Sequence, residues 1–384
     1  MMGKKVEEKK FDEKVPRVAI NGFGRIGRLV TRAFMSIAYH AKQQGREQMV
    51  DIVAINDLSD VDMLANLFEF DSVHGRFPGT VNVDHETNDL ILDGDRFRVL
   101  AERDPAKLPW KDLGVDYVVE STGFFRTRET MMKHVEAGAK KVVLSAPAGK
   151  ASDVDITVVR GVNNHEIKPE HVLISNASCT TNCLGPTLKV LDDEFGVEKG
   201  TMTTIHSYTN DQRVLDSQHS KLRRSRAAAL SMIPTSTGAA KAIGLVMPHL
   251  AGKIDGLAVR VPTPNVSLVD LTVTLNKDVT QDQVEQAFRD ASDKKTLADG
   301  KPNPLYGIID YEWRSLVSVD FNHNRHSAII DFPSLMVVDK NHIKALSWYD
   351  NEWAYAYRIA ELVWELWGVD HPEHKVVIDT KPER

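Results

Sequence analysis

The chain has 384 residues, of which 42% are hydrophobic and 27% charged, and its formal net charge is −6. Such a length exceeds one ordinary core and predicts two domains, while the composition excludes a disordered chain, a collagen-like fibre and a disulfide scaffold. The acidic balance speaks against a dedicated nucleic-acid partner, and no apolar run approaches the ~18 residues of a membrane span. Only Cys179 and Cys183 supply thiols, which suits a reducing, cytoplasmic setting, and the charged N-terminus lacks the apolar region of a secretory signal.

Residues 1–15 read as a polar N-terminal arm, with structure starting at Pro16. Arg17–Asn21 reads as a short buried strand. Gly22–Gly27 then opens a helix that runs to about Gln44, and Val50–Ile55 forms a second strand ending in Asn56-Asp57. This is the βαβ pattern of a parallel sheet. Tyr117–Val119 runs into Glu120–Gly123, and Lys141–Leu144 runs into Ser145-Ala146-Pro147. Small and polar residues at strand C-termini are what a ligand-facing edge requires. Beyond residue 178 the pattern changes. Val269–Leu275 and Leu316–Asp320 alternate apolar and polar positions, predicting antiparallel strands with one face on a core. Residues 292–305 read as a surface loop, and Ala354–Trp367 as an aromatic-rich helix. An α/β nucleotide-type domain followed by an α+β domain is the expected outline.

Three signals carry chemistry. In the first, Gly22, Gly24 and Gly27 allow a tight turn, close backbone approach to a pyrophosphate and helix–strand packing. The helix N-terminus that follows, beginning at Arg25-Ile26, offers unpaired N–H groups to phosphates. Asp57, at the end of the second strand, is the acidic partner for a ribose, or else a cap of the next helix.

The second signal is Cys179, preceded by Ser175–Ser178 and followed by a helical stretch. A thiol at a helix N-terminus has its thiolate favoured by the dipole and is a candidate nucleophile. Cys183, one turn later and next to Leu184, suits a packed structural role. His206 closes a β-branched run and is the candidate base. Two cysteines without clustered histidines make a poor metal site.

The third signal is anion binding. Pro234–Lys241 sets hydroxyls and N–H groups ahead of a helix. Arg223, Arg224, Arg226 and Arg260 add guanidiniums, which suit either phosphate or an ion-paired domain or subunit contact.

In these motifs, and in AINGFGRIGR, ASCTTNC, HSYTNDQ, RRSRAA, PTSTGAAKA, RVPTPNVS and WYDNEW taken in order, the chain resembles the phosphorylating glyceraldehyde-3-phosphate dehydrogenases from about Pro16 to Trp367. The resemblance implies a Rossmann NAD-binding domain over residues 16–178 and an α+β catalytic domain with a mostly antiparallel sheet over 179–346. A C-terminal helix over 347–384 would return to the first domain. It implies a homotetramer that oxidises glyceraldehyde 3-phosphate, reversibly, with NAD and inorganic phosphate. Cys179 then matches the nucleophile and His206 the base. Gly22, Gly24, Arg25, Ile26, Gly27, Asp57, Arg103, Thr122, Ser145 and Asn351 match cofactor contacts, Asn351 orienting the carboxamide. Thr209 and Arg260 match the pocket for the substrate phosphate, and Ser178, Thr180, Thr237 and Gly238 the one for inorganic phosphate, with Arg224 an added contact.

Two departures stand out. Ser217 and Gln218 replace the usual Leu-Pro pair and are similar to relatives that also accept NADP, whereas Asp57-Leu58 resembles the NAD-preferring form. Ser318–Asp331 resembles the erythrose-4-phosphate dehydrogenases. The expected activity is therefore the three-carbon one, with NAD preferred and NADP tolerated. The alternatives are the four-carbon substrate, or a non-catalytic nucleotide- or RNA-binding role.

Overall fold

Val18, Ala19 and Ile20 are inaccessible to solvent in strand β1 (Arg17–Asn21), as a strand covered on both faces requires. Helix α1 (Arg25–Gln43) follows the glycine turn, and β2 (Asp51–Asn56) runs parallel to β1. The computed structural model describes residues 15–45 and 50–374, so the expected arm lies outside the described residues except for Val15.

The first sheet continues with β3 (Val81–Asp84), β4 (Asp89–Leu92), β5 (Asp95–Leu100), β6 (Tyr117–Glu120), β7 (Lys141–Leu144), β8 (Ile156–Thr157) and β9 (Leu173–Ser175). Its order is β3-β4-β5-β2-β1-β6-β7-β9-β8, and only the β3–β4 and β4–β5 pairings are antiparallel. From β1 the chain passes to β2 on one side and returns to β6 on the other. Such a switch opens a crevice beyond the strand C-termini, the usual ligand position in open α/β sheets. Helices α2 (Val61–Glu69) and α3 (Arg128–Glu136) complete this half.

The second half is built on β10 (Val197–Ser207), β11 (Ile233–Ser236), β12 (Ile254–Val261), β13 (Ser267–Leu275), β14 (Ile309–Glu312), β15 (Ala328–Asp331), β16 (Met336–Val338) and β17 (His342–Tyr349). The order is β11-β12-β10-β13-β17-β15-β14, with β16 paired to β17. The sheet is mixed: β10–β12 and β14–β15 are parallel, and the other pairings are antiparallel. Helices α4 (Cys179–Phe195), α5 (Ala239–Val246) and α6 (Gln281–Asp293) accompany it.

The last helix, α7 (Trp353–Asp370), packs against α1. Its Ile359, Leu362, Val363 and Leu366 share a core with Leu29, Val30 and Phe34. A separate core, with Leu184, Leu188, Val269 and Leu271, fills the second half. Cys179 packs against both.

Two sequence expectations are corrected here. Leu316–Asp320 is not a strand: it bends into a 3-10 turn over Ser318–Phe321, closed by the Val317 N–H donating to the Asp320 carboxylate at 2.9 Å. Its alternation marks side chains that face solvent, Val317 and Val319, rather than one face of a sheet. Ser292 and Asp293 belong to the end of α6, and Asn303 and Leu305 are buried, Leu305 within the second core, so the exposed loop is confined to 294–302.

Candidate active site

Cys179 is the first residue of α4, and Ser178 caps it by accepting the Thr181 N–H at 3.1 Å. Ala177, just before, has φ +53 and is buried. That left-handed turn swings the chain from the first sheet into the helix. Facing the thiol is His206, near the C-terminal end of β10: Sγ lies 3.5 Å from Nε2. The other ring nitrogen, Nδ1, is 2.6 Å from the Ser207 carbonyl oxygen. A carbonyl only accepts, so Nδ1 carries a proton, and Nε2 is the nitrogen that faces the sulfur. Tyr349 steadies the floor, its hydroxyl 2.9 Å from both Thr180 Oγ1 and Thr204 Oγ1, and its ring edge-on to His206.

Burial pushes the Cys179 thiol above its ordinary value, against the pull of Arg260 and the N–H groups of the first helical turn. Burial and the nearby Arg260 also push His206 down to about 3. Both shifts run toward the uncharged forms of the pair. The helix N-terminus favours a thiolate, as its sequence position predicts, but desolvation outweighs it. Cys183 is fully buried, its thiol 3.7 Å from the Ser347 carbonyl oxygen, and burial raises it further.

The candidate anion residues fall into two groups. Arg260, on β12 in register with His206, donates Nη1–H to the Ser207 carbonyl (3.0 Å) and to Thr209 Oγ1 (3.3 Å). Arg224 is held by Asp211, by Thr235 Oγ1 at 3.0 Å and by the Ser236 carbonyl at 3.2 Å. Thr237 and Gly238 follow directly: Gly238 is the N-cap of α5, and Thr237 Oγ1 accepts the Ala239 N–H at 3.2 Å. Both guanidiniums act electrostatically on His206. Asp211 lies within HSYTNDQ, but nothing in that motif marks it as the partner of Arg224. By contrast, Ser217 and Gln218 border an open cleft in the exposed loop and do not touch the thiol pocket.

On the other side of the thiol, the glycine turn is shaped by close approach. At Gly22, φ is +90 and a Cβ would lie 2.7 Å from the Thr122 nitrogen. At Gly27 a Cβ would lie 2.1 Å from the Gly22 oxygen, whereas at Gly24 it would meet only open space. The turn is sealed behind and open in front, which fits a dinucleotide laid against Gly24 and the N-terminus of α1. Asp57 accepts the Phe23 N–H at 2.8 Å and the Ser59 N–H at 3.0 Å. It therefore belongs to the turn itself and does not cap α2, whose cap is Asp60. Thr122 follows β6 and is tied to Glu120, Ser145 follows β7, and Arg103 lies exposed beyond β5.

Arg25 and Ile26 open α1, yet the Arg25 guanidinium is committed elsewhere. It donates to Glu352 at 2.5 Å and to Asp71 at 3.2 Å. What it offers an anion is the backbone N–H of the first helical turn. Glu352 also faces His74 Nε2 at 2.8 Å, and His74 Nδ1 lies 2.8 Å from His323 Nε2. This network sits beside Asn351 and joins the two halves. Its separate members, scattered from Arg25 to Glu352, show no common pattern in the sequence.

Comparison with known proteins agrees with this geometry. Residues 16–128 match the family model for the NAD binding domain of glyceraldehyde 3-phosphate dehydrogenase, and residues 178–351 match the model for its C-terminal domain. The chain is 50% identical over 348 residues to glyceraldehyde-3-phosphate dehydrogenase 2 of Bacillus subtilis, covering 90% of this chain and 95% of that one. It is 51% identical over 347 residues to the Geobacillus stearothermophilus enzyme (90% and 96% covered). Against the enzyme of Pseudomonas aeruginosa it is 52% identical over 345 residues, with the same coverage. The chain belongs to the glyceraldehyde-3-phosphate dehydrogenase family and is an NAD-dependent oxidoreductase.

Proposed function

We propose that the protein converts D-glyceraldehyde 3-phosphate, NAD and inorganic phosphate reversibly to 1,3-bisphosphoglycerate through a covalent intermediate on Cys179. The supporting observation is the thiol 3.5 Å from His206 Nε2, with Arg260 and Arg224 close enough to act electrostatically on that ring. His206 takes the thiol proton as Sγ attacks the aldehyde carbon, and a thiohemiacetal forms. The developing oxyanion lies at the start of α4, where the Cys179 N–H has no intrahelical partner. NAD, when bound, supplies the hydride acceptor. Oxidation leaves a thioester on Sγ, which phosphate then cleaves, restoring the thiol.

Arg260 with Thr209 serves the substrate phosphate, and Ser178, Thr180, Thr237 and Gly238, with Arg224, serve the inorganic one. The buried Thr180 hydroxyl is already paired to Tyr349, so its backbone is the part it offers. Gly22, Gly24, Gly27, the N–H groups of Arg25 and Ile26, Asp57, Arg103, Thr122, Ser145 and Asn351 serve NAD. Asp57 places a carboxylate at the turn, which disfavours a 2′-phosphate and makes NADP secondary. We read residues 16–178 and 179–346 as the two domains and 347–374 as the return, the rest of the expected 347–384 segment lying outside the described residues.

Val214, Leu215, Leu222, Leu230 and Met232 stand exposed on one segment, as an oligomer contact requires, which supports a homotetramer. Among the described residues no helix is long and apolar enough to cross a membrane, and a cytoplasmic location is our reading.

The segment resembling the four-carbon enzymes spends its polar groups elsewhere. Asn322 Nδ2–H donates to the Val73 carbonyl at 3.0 Å and His323 meets His74. It therefore bears on the contact between the halves more than on the thiol pocket. NADH formation from glyceraldehyde 3-phosphate and from erythrose 4-phosphate, each with and without phosphate, tests the reading. We expect strong, phosphate-dependent preference for the three-carbon aldehyde; preference for the four-carbon one overturns it.

A further inference from the structure

Val266 is β-branched and buried, yet its φ is +65, a conformation such residues adopt only when their surroundings impose it. Ser207 imposes it. The Ser207 hydroxyl donates to the Val266 carbonyl at 2.7 Å, and the Ser207 N–H donates to Ser267 Oγ at 3.1 Å. Ser267 Oγ–H in turn donates to Asn351 Oδ1 at 2.7 Å. Ser207, Ser267 and Asn351 are all buried. The Ser207 carbonyl, meanwhile, receives His206 Nδ1–H and Arg260 Nη1–H.

The hydrogen-bond bookkeeping decides which way the Asn351 amide points. Ser267 Oγ has one proton to give and already accepts an N–H. With Oδ1 turned toward it, donor and acceptor are both satisfied. With the amide flipped, Nδ2–H would come to the same oxygen and the serine proton would be stranded in a buried site, a cost the observed arrangement avoids. Oδ1 is thereby occupied, and the amide nitrogen is the group Asn351 offers to a ligand.

We propose that Ser207 and Ser267 are positioning residues for the reaction: a relay that fixes Asn351 as a hydrogen-bond donor to the carboxamide oxygen of the nicotinamide and ties that orientation to the strand carrying His206. The proposal rests on the reading of Asn351 as the carboxamide contact. Through Ser207, one residue holds both the base and, by way of Ser267, the amide. The strain at Val266 brings carbonyl and hydroxyl of adjacent residues onto the same serine.

The test measures equilibrium dissociation constants of NAD and of ADP-ribose, which lacks the nicotinamide, for the wild type, Ser267→Ala, Ser267→Cys and Asn351→Ala. Losing the relay should weaken NAD about 5- to 30-fold in Ser267→Ala, the range for one buried hydrogen bond, with ADP-ribose changed less than about twofold on the same scale. Ser267→Cys, which keeps a weak donor, should fall between. It is the variant to read if the alanine protein does not fold. Equal losses of NAD and ADP-ribose, or no loss of either, overturn the relay. If Asn351→Ala itself leaves the NAD to ADP-ribose ratio unchanged, the carboxamide reading of Asn351 fails instead. If that ratio changes in Asn351→Ala but not in Ser267→Ala, the relay alone fails.

Discussion

At the scale of single residues, the proposed chemistry distinguishes one thiol of two. Cys179 and Cys183 are one helical turn apart, but Cys179 sits at the helix start opposite His206 while Cys183 lies in the second core. The sequence exposed that difference through neighbours alone, Ser178 and Thr180 against Leu184. It exposed His206 by its place at the end of a β-branched run. It could not show the protonation of the pair, because desolvation depends on what Tyr349 and Arg260 bring from distant strands. With His206 as the proposed base, His206→Asn should lower kcat/KM for the aldehyde by about 10²- to 10⁴-fold. The affinity for NAD should hardly change. Stopped-flow NADH formation with equilibrium NAD binding checks both.

Elements carry the next layer. Strands β1, β2, β6 and β7 and helices α1 and α4 were readable from sequence, because each strand is a short apolar run and each helix follows a marked segment, the glycine turn for α1 and Ser175–Ser178 for α4. Leu316–Asp320 misled because alternation of period two also arises when valines simply face solvent around a closed turn. The glycine turn was legible as a motif, but only the structure separates its members. Gly27 and Gly22 are needed for clearance, whereas a Cβ at Gly24 would meet only open space. Gly27→Ala should destabilise the fold by ~1–3 kcal/mol, the cost of overpacking, because its Cβ meets backbone rather than a movable side chain. Gly24→Ala should leave stability nearly unchanged and weaken NAD. Denaturant unfolding beside NAD titration separates the two; equal destabilisation by both would contradict the packing argument.

Across the whole molecule, the two halves meet through charge as well as through α7. Asp71 is held down to about 2 because the N–H groups of His74 and Val73 and the Arg25 guanidinium outweigh its burial. Glu352 is lowered as Arg25 and His74 overcome the same penalty. His323 is lowered too, by burial and by His74. These shifts act in one direction with pH. Carboxylates lowered in the folded state stabilise it above their ordinary values and lose that contribution as pH falls toward the folded ones. Histidines lowered on folding leave the unfolded chain binding more protons below about pH 6.5. Stability should therefore decline steadily from about pH 6.5 downward, with Glu352→Gln flattening part of the acid limb. Melting temperature against pH for both proteins measures it, and a stability that rises on acidification would contradict the ledger of charges. None of this was legible in the sequence, since His74, His323 and Glu352 converge only when a loop of one half reaches across to the other.

The central claim is a covalent route through Cys179, and intact and peptide mass spectrometry of the protein mixed with glyceraldehyde 3-phosphate and NAD, without phosphate, tests it most directly. The account predicts an acyl group on the Cys179 peptide, none on Cys183, and its rapid loss when phosphate is added. Turnover with no adduct at Cys179, or an adduct on Cys183 that phosphate discharges, would contradict it.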